Sequence, residues 1–287
     1  MADATLRARL GELTRARRGR AAREGAARAR RPVAAGRERC AADSSASPDR
    51  EPVGVEAFLP GWEWQGSRGS VFVHECLRSQ VERRRGHWGR LGVVPPRERE
   101  LAALAEAGLE HALFLDLETC GLASSTVFLA GTMHWNGSDF VLRQYFARHY
   151  GEEAALLAAL GQAARGFEYL VTFNGKSYDA PFLVARALVN GVELRLPPRH
   201  LDLLHAARRR WRRELPDCRL QTLEHHVCRR RRSGDVPGEE VPGLYHDFVR
   251  HGDAYRLVPV FHHNLLDVIA MAEIMRALCG PERGAGD

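Results

Sequence analysis

Between residues 110 and 280 short oily runs alternate with longer segments of helical period. "ALFLDLE" (112–118), "TVFLAGTMHW" (126–135) and "DFVLRQYFA" (139–147) are apolar runs of strand length. Gly137-Ser138, between the last two, predicts a hairpin turn. "GEEAALLAALGQAAR" (151–165) reads as a helix and "YLVTFN" (169–174) as a strand. "APFLVARALVNG" (180–191) reads as a helix that stops at Gly191. "RHLDLLHAARRRWRR" (199–213) predicts a short strand running into a helix. Residues 258–279 predict a final helix that is apolar nearly all round, as a buried helix is. Three successive strands, then alternating strands and helices, imply an α/β architecture with a mixed sheet flanked by helices. No internal repeat is visible.

Upstream, residues 51–108 hold Trp62, Trp64, "SVFVHE" and Trp88. They read as a small β-rich extension that ends at Pro95-Pro96, followed by a helix from Arg97 to Ala107 packing on the main domain of residues 109–280. Residues 1–50 are Arg, Ala, Gly and Ser with few large apolar groups, so a disordered or loosely helical tail is expected there, and a disordered tail at 281–287. No apolar run is expected to approach the roughly 18 residues of a membrane helix. The start lacks the apolar block of a secretory signal, so a soluble, cytoplasmic protein without a membrane partner is expected. The length of 287 residues suits one sizeable domain with extensions.

The formal charge of +6 belongs to the tail: residues 1–40 carry 12 Arg against four acids, and the remainder is slightly acidic. Lys176 is the only lysine. Arginine abundance is thus chain-wide and says little about phosphate contact, although a basic tail attracts phosphate. An organelle transit peptide is weakened by the same bias. None of the six cysteines is in C-x-x-C spacing, which favours reduced thiols. Cys218, His225, His226 and Cys228 lack the regular spacing of a zinc site.

The chemistry lies in acids placed where acids are costly. On a strand, Asp116 and Glu118 point to one face and Leu115 and Leu117 to the other. The pair stands where Gly121 lets the chain leave the sheet, and α/β sites lie beyond strand carboxyl ends; a solvated, inert strand end is the alternative. Asp179 follows the strand and turn of "LVTFNGKSYDAPFL", where helix capping ahead of Pro181 is a sufficient reason for it. "GKS" is not a phosphate loop, since Leu170 stands where that motif needs glycine. Asp267 sits in the oily helix "FHHNLLDVIAMAEI" and needs a partner. Four acids on three elements can hold two divalent cations, and oxygen-only ligands suit Mg²⁺ or Mn²⁺. Such a pair activates water and stabilises the leaving oxygen of a phosphodiester.

"LDLETCGL", "FNGKSYDAPFL" and "HHNLLDV" resemble, in order and spacing, the three motifs of the DEDD exonuclease superfamily, which has a ribonuclease-H-like fold. "HLDLLHAARRRWRR", "CRLQTLEHHV" and "GDVPGEEVPGLYHDFVRHGD" extend the likeness, over about residues 51–280, to the YprB-like ribonuclease-H-like proteins. The resemblance implies metal-dependent 3′–5′ hydrolysis of single-stranded DNA or RNA, with Asp116, Glu118, Asp179 and Asp267 as the metal ligands. It implies a general base five residues (His262) or four residues (His263) before the last Asp. On a continuous helix the offset of four favours His263; if the helix begins later, His262 can reach the metals. Thr119, Leu122 and Asn174 would line the substrate groove.

Asp202 reads as a helix cap. Arg208–Arg210, Arg212 and Arg213, with Trp211 stacking on a base, could track a phosphate backbone or form a solvated face; Arg83–Arg85 and Arg229–Arg232 share that choice. The rival to a nuclease is a non-catalytic nucleic-acid-binding module or helicase accessory subunit, with a helicase as its partner. A phosphoesterase acting on small phosphates is a third reading.

Overall fold

Seven strands form one mixed sheet in the computed structural model. It describes residues 51–82, 88, 91, 98–121, 125–232 and 236–279; the expected tails, Arg83–Arg85 and Leu122 lie outside the described residues. The strands are β1 (Gly61–Gly66), β2 (Gly69–Leu77), β3 (Ala112–Thr119), β4 (Val127–Trp135), β5 (Phe140–Phe146), β6 (Tyr169–Thr172) and β7 (Arg199–Asp202), in the spatial order β1-β2-β5-β4-β3-β6-β7. β1 to β5 pair antiparallel with their neighbours, and β4 is antiparallel to β3. β6 and β7 continue parallel to β3. The β4–β5 turn falls on Gly137 (φ 97°), and the Asn136 side chain accepts from the N–H groups of Ser138 and Asp139, each at 2.9 Å. The "SVFVHE" stretch lies in β2, so the N-terminal extension adds two strands to the edge at β5.

The helices are α1 (Arg78–Val81), α2 (Arg99–Ala107), α3 (Glu153–Ala164), α4 (Asp179–Val189), α5 (Leu203–Trp211), α6 (Leu220–His226), α7 (Val241–His251) and α8 (Val258–Leu278). One sheet face buries Phe114, Met133, Phe140 and Val171 against α8, α5 and α2. The other buries Leu115, Ala130, Tyr145 and Leu170 against α3 and α4. The expected mixed sheet flanked by helices is what forms. α7 has no counterpart in the sequence reading, although Val241, Leu244, Tyr245 and Phe248 are the i, i+3, i+4, i+7 face that the helix buries. Proline in the first turn and left-handed Gly252 at the end are ordinary helix boundaries. Tyr245 stacks on Phe128 with ring centroids 4.1 Å apart, and its hydroxyl donates to the Ala147 carbonyl at 2.9 Å.

Two expectations need correction. Residues 254–278 are long and apolar enough to cross a membrane by length and composition; 78% of that window is buried inside the protein, which makes it the core helix. Trp211 is 8% exposed and packs in the α8 core, so it offers no surface to a base. Its neighbour Arg209 is bound to Glu98 at 2.6 Å.

The arginine run after α6 also departs from a solvated face. Arg230 is buried and meets Glu82 and Glu273, each at 2.9 Å, while Arg78 reaches Glu273 at 3.5 Å. This network ties the N-terminal extension to α8. Removing one partner of a buried ion pair leaves an uncompensated charge. Arg230→Met is therefore expected to destabilise the protein by about 3–5 kcal/mol in urea unfolding. The exposed neighbour Arg231, changed to Met, should shift it by no more than about 0.5 kcal/mol; equal shifts for the two would show that the network contributes nothing.

Candidate active site

The site begins where β3 outruns its parallel neighbour. β6 pairs with β3 only as far as Phe114↔Val171, so Asp116 and Glu118 lie beyond the last rung. Phe114, on the face that α8 covers, sets the side on which both carboxylates point. Between Glu118 and Thr119 the register with β4 slips and the chain turns away, with the Thr119 hydroxyl donating to the Gly121 carbonyl at 2.8 Å.

Asp179 arrives by the turn after β6. Asn174 adopts a left-handed φ of 66°, and one buried carboxylate organises the turn: Asp202 accepts from the N–H groups of Asn174 (2.8 Å) and Lys176 (3.1 Å). Asp202 also caps α5 through the N–H of Leu204 at 3.0 Å, the role expected of it. Asp179 is the first residue of α4. A second buried carboxylate fixes that helix: Glu153 of α3 accepts from the Val127 N–H (2.9 Å), from Arg186 of α4 and from Asn190, which caps its end.

α8 brings the last acid. It starts at Val258, so His262, His263 and Asp267 all lie on continuous helix, and His263 stands one turn before Asp267 with Nε2 3.1 Å from Oδ2. The other Asp267 oxygen, Oδ1, takes the Nη2 of Arg232. The helix touches β3 through Asn264, whose Nδ2 donates to Asp116 Oδ2 at 2.9 Å. Gln144 in turn donates to Asn264 Oδ1 at 2.9 Å and to the Phe261 carbonyl at 2.8 Å. This approach is possible because the strand partner of Asp116 is Gly131: a Cβ there would lie 2.1 Å from Asn264 Oδ1.

The electrostatics show which groups meet. Burial pushes the Asp116 carboxyl well above the usual carboxylate range, and the charges of Asp267, Glu118 and Asp179 push it further, against the pull of His263. Burial likewise pushes Asp179 up to about 6, with Asp202 and Asp267 adding repulsion; the N–H groups of Asp179 itself and of Leu117 work in the other direction. The four acids therefore lie within one another's fields, with His263 among them. Among the described residues no three His, Cys, Asp or Glu side chains already form a closed cation cage, and this includes the Cys218–Cys228 region. The donor set still fits hard divalent cations: the oxygens are carboxylate, partly buried and mutually repelling. Both oxygens of Asp267 already have partners in His263 and Arg232. Thr119 and Asn174 flank the acids in sequence, at the ends of β3 and β6, and Leu122 lies outside the described residues.

A family model of the RNase H superfamily matches residues 113–279, more than half of the chain, and the chain belongs to that superfamily. The uncharacterised protein YprB of Bacillus subtilis (strain 168) is 32% identical over 234 residues, which cover 76% of this chain and 56% of that protein. The chain thus matches little more than half the length of this relative. The family B DNA polymerase of the hyperthermophilic archaeon Pyrobaculum calidifontis superposes with a TM-score of 0.46 at 17% identity, over 56% of this chain and 23% of the polymerase.

Sequence reasoning did not single out Asn264, Gln144 or Gly131, and it named Arg232 only within the run Arg229–Arg232. Asn264 had a signal, being three residues before Asp267 and thus on the same helix face. Gly131→Ala should force Asn264 away and destabilise the protein by about 1–3 kcal/mol. It should also weaken Mn²⁺ binding, measured by calorimetry; a stable variant with unchanged affinity would show that the close approach is immaterial.

In the metal-free protein Asp179 stays protonated up to about pH 6, whereas in the unfolded chain it loses its proton near 4. Between these values the folded state binds more protons, so stability is greatest below the window and falls as pH rises through it. In EDTA, the unfolding temperature should drop between about pH 4.5 and pH 7, and Asp179→Asn should flatten that drop. Parallel curves for the two proteins would refute the assignment.

Proposed function

We propose that this chain is a divalent-metal-dependent nuclease, a 3′–5′ exonuclease acting on single-stranded DNA or RNA ends. One observation carries the reading: carboxylates from β3, α4 and α8 converge at the open end of the sheet. Membership of the RNase H superfamily supports nuclease-type chemistry and a nucleic-acid substrate. The polarity and the preference for single strands rest on the motif likeness.

Two Mg²⁺ or Mn²⁺ ions, when bound, would supply an activated water and stabilise the departing oxygen. Asp116, Glu118, Asp179 and Asp267 would hold them. Asn264 keeps Asp116 Oδ2 engaged, so the other oxygen is the one presented. His263 is the proton acceptor that the geometry favours, because the helix is already regular there and Asp267 orients the ring. His262 is turned about 100° away around the same helix. Thr119 and Asn174, with Leu122, would border the path of the strand.

The test is degradation of labelled single-stranded DNA and RNA with Mn²⁺. Products should shorten from the 3′ end, and Asp116→Ala and Asp179→Ala should each slow cleavage by more than about 100-fold. No metal-dependent cleavage of either polymer would sink the reading. Cleavage unaffected by both substitutions would mark a contaminant, and activity confined to mononucleotides would point to a phosphoesterase.

A further inference from the structure

The segment after α6 sends alternate arginines inward. Arg230 enters the ion network of α8, and Arg232 enters the acid site. Arg232 Nε lies 2.5 Å from Glu224 Oε2, Nη1 lies 3.3 Å from His263 Nδ1, and Nη2 bonds Asp267 Oδ1. Glu224 is 1% exposed and sits on α6, so the guanidinium is anchored at its base while both terminal nitrogens face the site. With His263 on Oδ2, each oxygen of Asp267 already has a partner. A cation arriving at that carboxylate meets both partners, one of them the positive charge of Arg232. His263 is bound to Asp267 within a single helix turn, whereas Arg232 comes from a segment outside any helix or strand.

We propose that Arg232 is the counter-cation of the metal-free acid site and that, once Asp267 turns to a metal, the same guanidinium binds the phosphate of the substrate strand. The proposal rests on the nuclease reading above. A guanidinium held through Nε keeps two Nη groups in a fork that matches two phosphate oxygens. Pinned to Glu224, it would meet the phosphate beside Asp267 and oppose the charge that grows there during hydrolysis. In the metal-free state it offsets the repulsion among the acids; bound cations would supply that positive charge instead, leaving the guanidinium for the phosphate. Cation and arginine therefore compete at Asp267, and the substrate's phosphate is the arginine's second partner.

The competition has a readout that a purely structural arginine would not produce. Mn²⁺ affinity, by calorimetry, and kcat for single-stranded oligonucleotides would be measured for the wild type, Arg232→Gln, and the double variant Glu224→Gln/Arg232→Gln, which leaves no unpaired carboxylate at position 224. Thermal unfolding would check that each variant is folded. Arg232→Gln should bind Mn²⁺ about fivefold or more tightly, while kcat falls on the order of 100-fold. The double variant should show the same two opposite shifts. Mn²⁺ affinity that falls or stays unchanged in both variants, or an unchanged kcat, would overturn the inference and leave the nuclease reading standing. A wild type that neither binds Mn²⁺ nor cleaves would remove both.

Discussion

Carboxylates gathered at one end of a sheet repel one another, and much of the structure around them answers that repulsion. Asp116 is the centre of it, raised by burial and by the three other acids. An amide from Asn264 holds one of its oxygens, backbone N–H groups face Asp179, and Arg232 and His263 take the two oxygens of Asp267. For the two acids of β3 the partner comes from elsewhere in the chain: Asn264 of α8 reaches Asp116. The strand can carry its acids only because α8 comes close enough to supply an amide, and α8 comes close only because residue 131 has no side chain. The cost of the cluster is thus offset by tertiary structure, with room left for cations to take over part of that work.

The same logic explains what was legible in the sequence. β3, β4, β5, α3, α4 and α8 could be read because their apolar period is regular over enough residues to stand out. α7 could not, because Pro242-Gly243 imitates a turn at the start of a helix whose buried face is otherwise regular. Asp116, Glu118, Asp179 and Asp267 were conspicuous as acids in oily surroundings, and conspicuousness of that kind is physical: a charge there needs a reason. Arg232 could not be told from its neighbours for the opposite reason. It is one of four consecutive arginines in a chain with a single lysine, and nothing local separates an inward arginine from an outward one. Only Glu224, Glu273 and Asp267, brought together by folding, make that distinction.

α8 joins the two halves of this argument. Glu273 and Asp267 lie on one helix and are met by Arg230 and Arg232 of one segment. The first pair belongs to a buried network that reaches Arg78 and Glu82 of the N-terminal extension; the second opens on the acids. The extension that adds β1 and β2 to the sheet is therefore electrostatically connected, through two residues of one helix, to the neighbourhood of the site.

As far as Phe114, β3 is paired on both edges and covered on both faces, with β4 running antiparallel on one side and β6 parallel on the other. Amides so placed exchange with solvent only when the whole domain opens. Asp116 and Glu118 stand on the continuation of that strand, held by β4 alone, and Arg232 on a stretch with no ladder or helix of its own. The site is built from two clocks: a strand rooted in the part of the sheet that opens last, and a charge carried by a segment with no ladder to hold it.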